Sequence, residues 1–174
     1  KSSKKIIFLS ISSILITINW AGFIFAVSIN RIQDASMGYY MTPMISILLG
    51  YFFLNEKLTK LKSISILMML GSIIFLFISL NTLPLLALII GSSWGVYGLI
   101  RKQIDVSSEI GLLYESGLIL LIALPYLIYL DIQDIGFIWN YSTYVSSFLI
   151  LTGIVTIFPL FFFNLGLKKI PLGL

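Results

Sequence analysis

Residues 57–80 read Lys57-Leu58-Thr59-Lys60-Leu61-Lys62-Ser63-Ile64-Ser65-Ile66-Leu67-Met68-Met69-Leu70-Gly71-Ser72-Ile73-Ile74-Phe75-Leu76-Phe77-Ile78-Ser79-Leu80. Three lysines stand in front of a run that carries no charge. A hydrocarbon core about 30 Å thick takes about 17–25 helical residues to cross, and Ile64–Leu80 meets that length. Working outward, five more such runs flank it: Ile6–Ile29, Ala35–Leu54, Leu83–Ile100, Ile110–Leu130 and Tyr144–Leu167. The gaps between the runs alternate in charge. Lys1, Lys4 and Lys5, then Lys57, Lys60 and Lys62, then Arg101 and Lys102, then Lys168 and Lys169 fall in every second gap. The intervening gaps hold Arg31 as their one basic residue, with Asp34, Asp131 and Asp134. Lys and Arg in short loops mark the cytoplasmic side. Both ends of the chain are therefore expected inside, and the three opposite loops outside.

Composition agrees with a membrane protein. Apolar residues make up 59% and charged residues 10%, against about 45–50% and about 25% in soluble domains. The net charge of +4 reads as a topology signal, because a nucleic-acid binder would cluster its basic residues on one face. These sit at helix ends, where long basic side chains reach the headgroups. The run after Lys5 is too long for a secretory signal peptide and lacks a small-residue cleavage site. The chain starts at Lys1 and a new apolar segment begins at Ile170-Pro171-Leu172. Both features suggest a window from a longer polytopic protein.

Two absences prune the chemistry. There is no Cys, which removes thiolate nucleophiles and Cys metal sites. There is no His, the usual general base of a hydrolytic triad. Gly91-Ser92-Ser93-Trp94-Gly95 fits the G-x-S-x-G pattern, but that pattern needs a strand-to-helix elbow and a His. Here it reads as a packing face, with Gly91, Gly95 and Gly98 near one stripe that lets another helix approach. No enzyme activity, cofactor or metal site is expected.

The connections are short. Asn81-Thr82 alone joins the third and fourth runs, which predicts antiparallel neighbours. The longest loop, 131–143, carries Trp139 and Tyr141 with Tyr144 following, an aromatic belt at the outer interface. Glu115 is the one clear acid at membrane depth. Intramembrane carboxylates are costly, so it is a candidate proton relay or contact to a cationic substrate; a hydrated place near the cytoplasmic interface is the competing reading. Asn19-Trp20 could tie helices together or line a cavity. Pro43, Pro125 and Pro159 interrupt their runs, and such breaks need protein, water or a cavity beside them. Trp94, Tyr97 and Arg101 share a face at i, i+3, i+7, as do Thr152 and Thr156 leading to Pro159.

Several of these stretches fall into one known pattern. Asp34-Ala35-Ser36-Met37-Gly38-Tyr39-Tyr40-Met41-Thr42-Pro43, followed by Leu54-Asn55-Glu56-Lys57-Leu58, resembles the fourth helix of the drug/metabolite transporter superfamily, EamA type, RarD-like branch. Asn19-Trp20, the stretch Trp94-Gly95-Val96-Tyr97-Gly98-Leu99-Ile100-Arg101-Lys102, the stretch Gly111-Leu112-Leu113-Tyr114-Glu115, and 153–156 with Pro159 and 168–172 resemble the same branch in order. Thr42 stands where the branch usually has Asn, Asn55 where it has Gly, and Ser28-Ile29-Asn30 departs from its usual turn. These departures leave the substrate unassigned.

The resemblance implies an all-α, ten-helix bundle built from two inverted five-helix repeats. Residues 1–80 would be the last three helices of the first repeat and 83–174 the first three of the second. Inverted repeats in secondary transporters place their site near the midplane, between the repeats. The expected function is a permease of the cell inner (plasma) membrane that exports small metabolites or drugs by alternating access. No Walker motif points to ATP hydrolysis by this chain. The side chains expected to approach the cavity are Asn19, Trp20, Tyr40, Thr42, Trp94, Tyr97 and Glu115, a mixture of apolar walls and few polar groups that suits small molecules. The expected partners are membrane lipid and a small-molecule substrate, with no nucleic acid, and a homodimer stays open. The alternative is a non-transporting membrane scaffold, whose helices would pack solidly with no polar groups converging.

Overall fold

The computed structural model describes residues 2–80, 84–133 and 141–172. They form six helices and, among the described residues, no strand: α1 Ser2–Ser28, α2 Ile32–Leu54, α3 Lys60–Leu80, α4 Leu85–Gln103, α5 Ser108–Ile132 and α6 Thr143–Leu167. Five of them, all but α4, are long and apolar enough to cross a membrane. The molecule is a polytopic helical bundle.

The helices extend past the apolar runs where a favourably placed charge or a capping side chain helps them. α2 starts at Ile32 rather than Ala35, because Asp34 in its first turn faces the positive end of the helix dipole and pairs with Arg31 at 2.5 Å. α3 starts at Lys60 rather than Ile64, with Thr59 Oγ1 accepting the Lys62 N–H at 3.3 Å. α4 runs on to Gln103 and carries Arg101 and Lys102 in its last turn, where the dipole favours cations. Ser107 and Ser142 cap α5 and α6 through the N–H groups of Ile110 and Val145. Pro43, Pro125 and Pro159 lie inside helices that continue through them.

α4 is the hub. It packs on α1, α2 and α6, and its closest partner is α2. Lipid tails are as apolar as leucine, so helices in a membrane associate through close packing and not through hydrophobic burial. Glycines provide that closeness here. A Cβ on Gly91 would lie 2.8 Å from the Gly38 carbonyl oxygen, and one on Gly95 would lie 2.7 Å from Ile45. The G-x-S-x-G stretch is therefore a contact face, with Ser93 buried and bonded to the Ile90 carbonyl.

The expected pairing of the third and fourth helices is not what forms. Among the described residues α3 packs backbone to backbone on α2 alone, with Ile73 and Leu76 against Met37, Met41 and Ala87, and Ile66, Met69 and Ile73 against Met44 and Ile47. The glycines explain the choice: α4 uses its small-residue face on α2, while Gly71, the glycine of α3, has nothing near it. The connection 81–83 lies outside the described residues, as do Trp139, Asp134 and Gly173. Tyr141 and Tyr144 of the proposed aromatic belt are exposed.

Candidate functional site

α4 and α5 do not pack backbone to backbone. Long side chains of α4 span the gap instead, and they meet a cluster of polar groups from four helices. Ser12 of α1 donates to Glu115 Oε1 at 2.5 Å, and Tyr97 OH donates to Glu115 Oε2 at 3.2 Å. Arg101 Nε lies 3.6 Å from Glu115 Oε1 and donates to Asn164 Oδ1 at 2.8 Å. Asn164 Nδ2 donates to Tyr97 OH at 3.0 Å and to the Leu160 carbonyl at 2.9 Å. Glu115, Arg101, Asn164, Tyr97 and Ser12 are each at most 2% exposed.

A buried carboxylate and guanidinium attract each other strongly only because neither can reach water, and each bears a desolvation penalty of several kcal/mol, about the size that good geometry must offset. Here the carboxylate is well satisfied, with a hydroxyl on each oxygen. The guanidinium is not. Arg101 Nη1 and Nη2 have no hydrogen-bond partner among the described residues. They rest against Gly111 in the first turn of α5, where any Cβ would collide with the guanidinium. Gly111 is thus a glycine because Arg101 needs its space. The hydrated reading of Glu115 does not fit this burial.

Beside the cluster lies a cavity of about 200 Å³, lined by Thr42 and Ser46 of α2, Trp94 and Gly98 of α4, Phe163 of α6, and Leu172 beyond it. Trp94 and Phe163 have ring centres 4.9 Å apart, and Phe163 stacks at 6.3 Å on Tyr97. The same aromatic group therefore walls the cavity and touches the polar cluster. Thr42 turns its hydroxyl back onto the Gly38 carbonyl at 3.0 Å.

Of the seven expected cavity residues, Tyr97 and Glu115 meet in the cluster, and Trp94 and Thr42 line the cavity. The other three lie apart. Asn19 is buried between α1 and α4, where its Nδ2 donates to the Ile90 carbonyl at 2.7 Å and Ser93 Oγ at 3.3 Å. Trp20, about 100° further round the helix, is 41% exposed. Tyr40 is 78% exposed and borders a separate cleft of about 340 Å³ between α2 and α3. The sequence reading missed Asn164 and Ser12. A lone Asn inside an apolar run was a usable signal for Asn164; a Ser, common in such helices, gave none for Ser12.

The EamA-like transporter family matches residues 1–78. Over 99% of its length the chain is 37% identical to an uncharacterized transporter, YojE, of Bacillus subtilis, and covers 57% of that protein. It is 30% identical over 99% of its length to Protein RarD of Escherichia coli, covering 58% of it. It is 31% identical over 98% of its length to an uncharacterized transporter of Vibrio cholerae, covering 56% of it. The chain thus spans little more than half the length of these relatives. No solved structure matches it.

Proposed function

We propose that this chain, which is similar to the EamA-like transporter family over residues 1–78 and to YojE and RarD over nearly its whole length, supplies six helices of a RarD-like permease that moves small metabolites or drugs across the cell inner membrane by alternating access. The Lys-rich loop ends face the cytoplasm, as the charge asymmetry argues. Residues 1–80 and 83–174 belong to opposite repeats. The observation that carries the proposal is the buried polar cluster around Arg101 and Glu115, set against an aromatic-walled cavity. A solid scaffold gains nothing from burying two charges with two of the three guanidinium nitrogens unpaired among the described residues.

The cavity draws Thr42 and Ser46 from the first repeat and Trp94 and Phe163 from the second. That suits a site between rocking repeats. Aromatic faces and two hydroxyls would hold a small molecule, and Glu115 would sense it or a proton through Tyr97. An exchange of Glu115 between Arg101, Ser12 and a transported species would reset the contacts among α1, α4, α5 and α6.

The test is an export screen. Cells making the full-length protein should release at least one small metabolite faster than cells without it. Ser46→Phe should fill the cavity and abolish that release at equal membrane abundance. Identical external metabolites in all three strains would overturn the proposal.

A further inference from the structure

α2, α4 and α6 run in the same direction, and their ends meet at the Lys-rich side. Three contacts join them there. Glu56, just past α2, accepts the Leu172 backbone N–H at 2.7 Å. Lys102, in the last turn of α4, lies 3.5 Å from the same Glu56 oxygen. Lys102 Nζ also donates to the Ile170 carbonyl. The strap 168–172 is thereby clamped between a carboxylate and an ammonium, and Pro171 stiffens it by fixing its own φ.

Local sequence makes this possible. Asn55 has φ 53°, the left-handed region that ends a helix, and the Glu56 N–H turns back to the Gly50 carbonyl at 3.1 Å. Asn tolerates that region better than other non-glycine residues, which accounts for Asn55 where the branch has Gly. Gly50 leaves the seat for the folded-back side chain: a Cβ there would lie 2.6 Å from Glu56 Oε2 and 3.5 Å from Leu172 Cβ.

The clamp has a consequence for the cavity. The Leu172 side chain is buried with Leu99 and Leu167, packs near Phe163, and forms part of the cavity wall. Its backbone is held by Glu56. Glu56 and Lys102 are themselves 16% and 19% exposed, so water reaches both charges and can replace each when the strap lifts. A fully buried pair would not release so readily.

We propose that Glu56, Lys102 and the 168–172 strap form a gate that closes the cavity toward the Lys-rich side, with Leu172 as its plug. This assignment rests on the transporter reading. Opening breaks the Glu56 bond to the Leu172 N–H and the Lys102 bond to the Ile170 carbonyl together, and withdraws Leu172 from beside Phe163. The gate then alternates with closure on the opposite face.

The test uses the full-length protein with any native cysteines replaced; the present chain has none. Ser46→Cys reports the cavity, and Ala87→Cys, fully buried against α2, reports general loosening. Inside-out membrane vesicles are treated with an impermeant maleimide. Ser46→Cys should label slowly in the parent and several-fold faster with Glu56→Ala. Glu56→Gln, which keeps an acceptor for the Leu172 N–H but loses the charge facing Lys102, should fall between. Ala87→Cys should stay unlabelled throughout. Should Glu56→Ala fail to reach the membrane, Glu56→Gln and Lys102→Met carry the test on the same readout. Unchanged labelling of Ser46→Cys, or an equal rise at Ala87→Cys, overturns the gate. Transport with unchanged labelling sinks the gate alone, whereas faster labelling in a protein that moves no metabolite sinks the transporter reading and leaves the moving strap.

Discussion

Glu115 shows how a single side chain changes meaning once its neighbours are known. Taken as a lone acid in an apolar run it is a costly group, and its neutral amide would ease insertion. With Arg101 beside it, removing the charge strands a buried guanidinium. Breaking a buried pair from one side costs about 3–5 kcal/mol, whereas removing both charges is often neutral. Glu115→Gln should therefore lower the thermal midpoint of the detergent-purified protein, and Glu115→Gln with Arg101→Met should recover much of it. Neither variant should transport. A single variant as stable as the parent would show that the pair is not formed in the membrane. Tyr97→Phe removes the hydroxyl shared by Glu115 and Asn164, at a cost of about 1–3 kcal/mol for the buried groups left unpaired, which the same melting experiment reads. Glu115 and Tyr97 were legible because an acid and an aromatic at membrane depth stand out. Ser12 was not, since its role comes from a carboxylate 103 positions away in the chain.

At the scale of elements, α4 is instructive. It is less apolar than the five helices that read as membrane spans, yet it sits at the centre. Neighbouring helices cover the face that carries Gly91, Ser93, Gly95 and Gly98, whereas the exposed Ser92 turns its hydroxyl back onto the Leu88 carbonyl. The six runs located the helices well because charge and hydropathy are written locally. Their starts came out late by a few residues in α2 and α3, where capping and dipole effects admit charged residues into the first turn. The α3–α4 pairing was misjudged because loop length says that two helices can be neighbours and not which faces match. Glycine positions decide that. Gly91→Leu should drive α2 from α4, with the roughly 1–3 kcal/mol penalty typical of overpacking. Gly153→Ala, which meets nothing within 4 Å, should melt no lower than the parent. Equal melting of both variants would mean that the α2–α4 contact is looser than described.

For the whole molecule, the orientation and the chamber belong together. The alternating lysines argue that Glu56, Lys102 and Lys168 face the cytoplasm. In intact cells an impermeant thiol reagent should label Gln133→Cys and leave Lys60→Cys untouched; the reverse would invert the topology and the side on which the gate opens. Little of the chamber could be read from the sequence. Trp20 and Tyr40 were grouped with it for their chemistry, but helical phase turns Trp20 outward and sends Tyr40 to the α2–α3 cleft. Side-chain direction depends on which neighbour each helix chooses, and that is settled only by three-dimensional packing.

If Glu115 works in transport beside this cavity, its loss must show in export itself. The most direct test compares metabolites released by cells that make equal membrane amounts of the full-length parent or of Glu115→Gln with Arg101→Met, the variant expected to remain folded. At least one small metabolite should appear outside only with the parent. Matching release from both strains, above that of cells lacking the protein, would contradict that role.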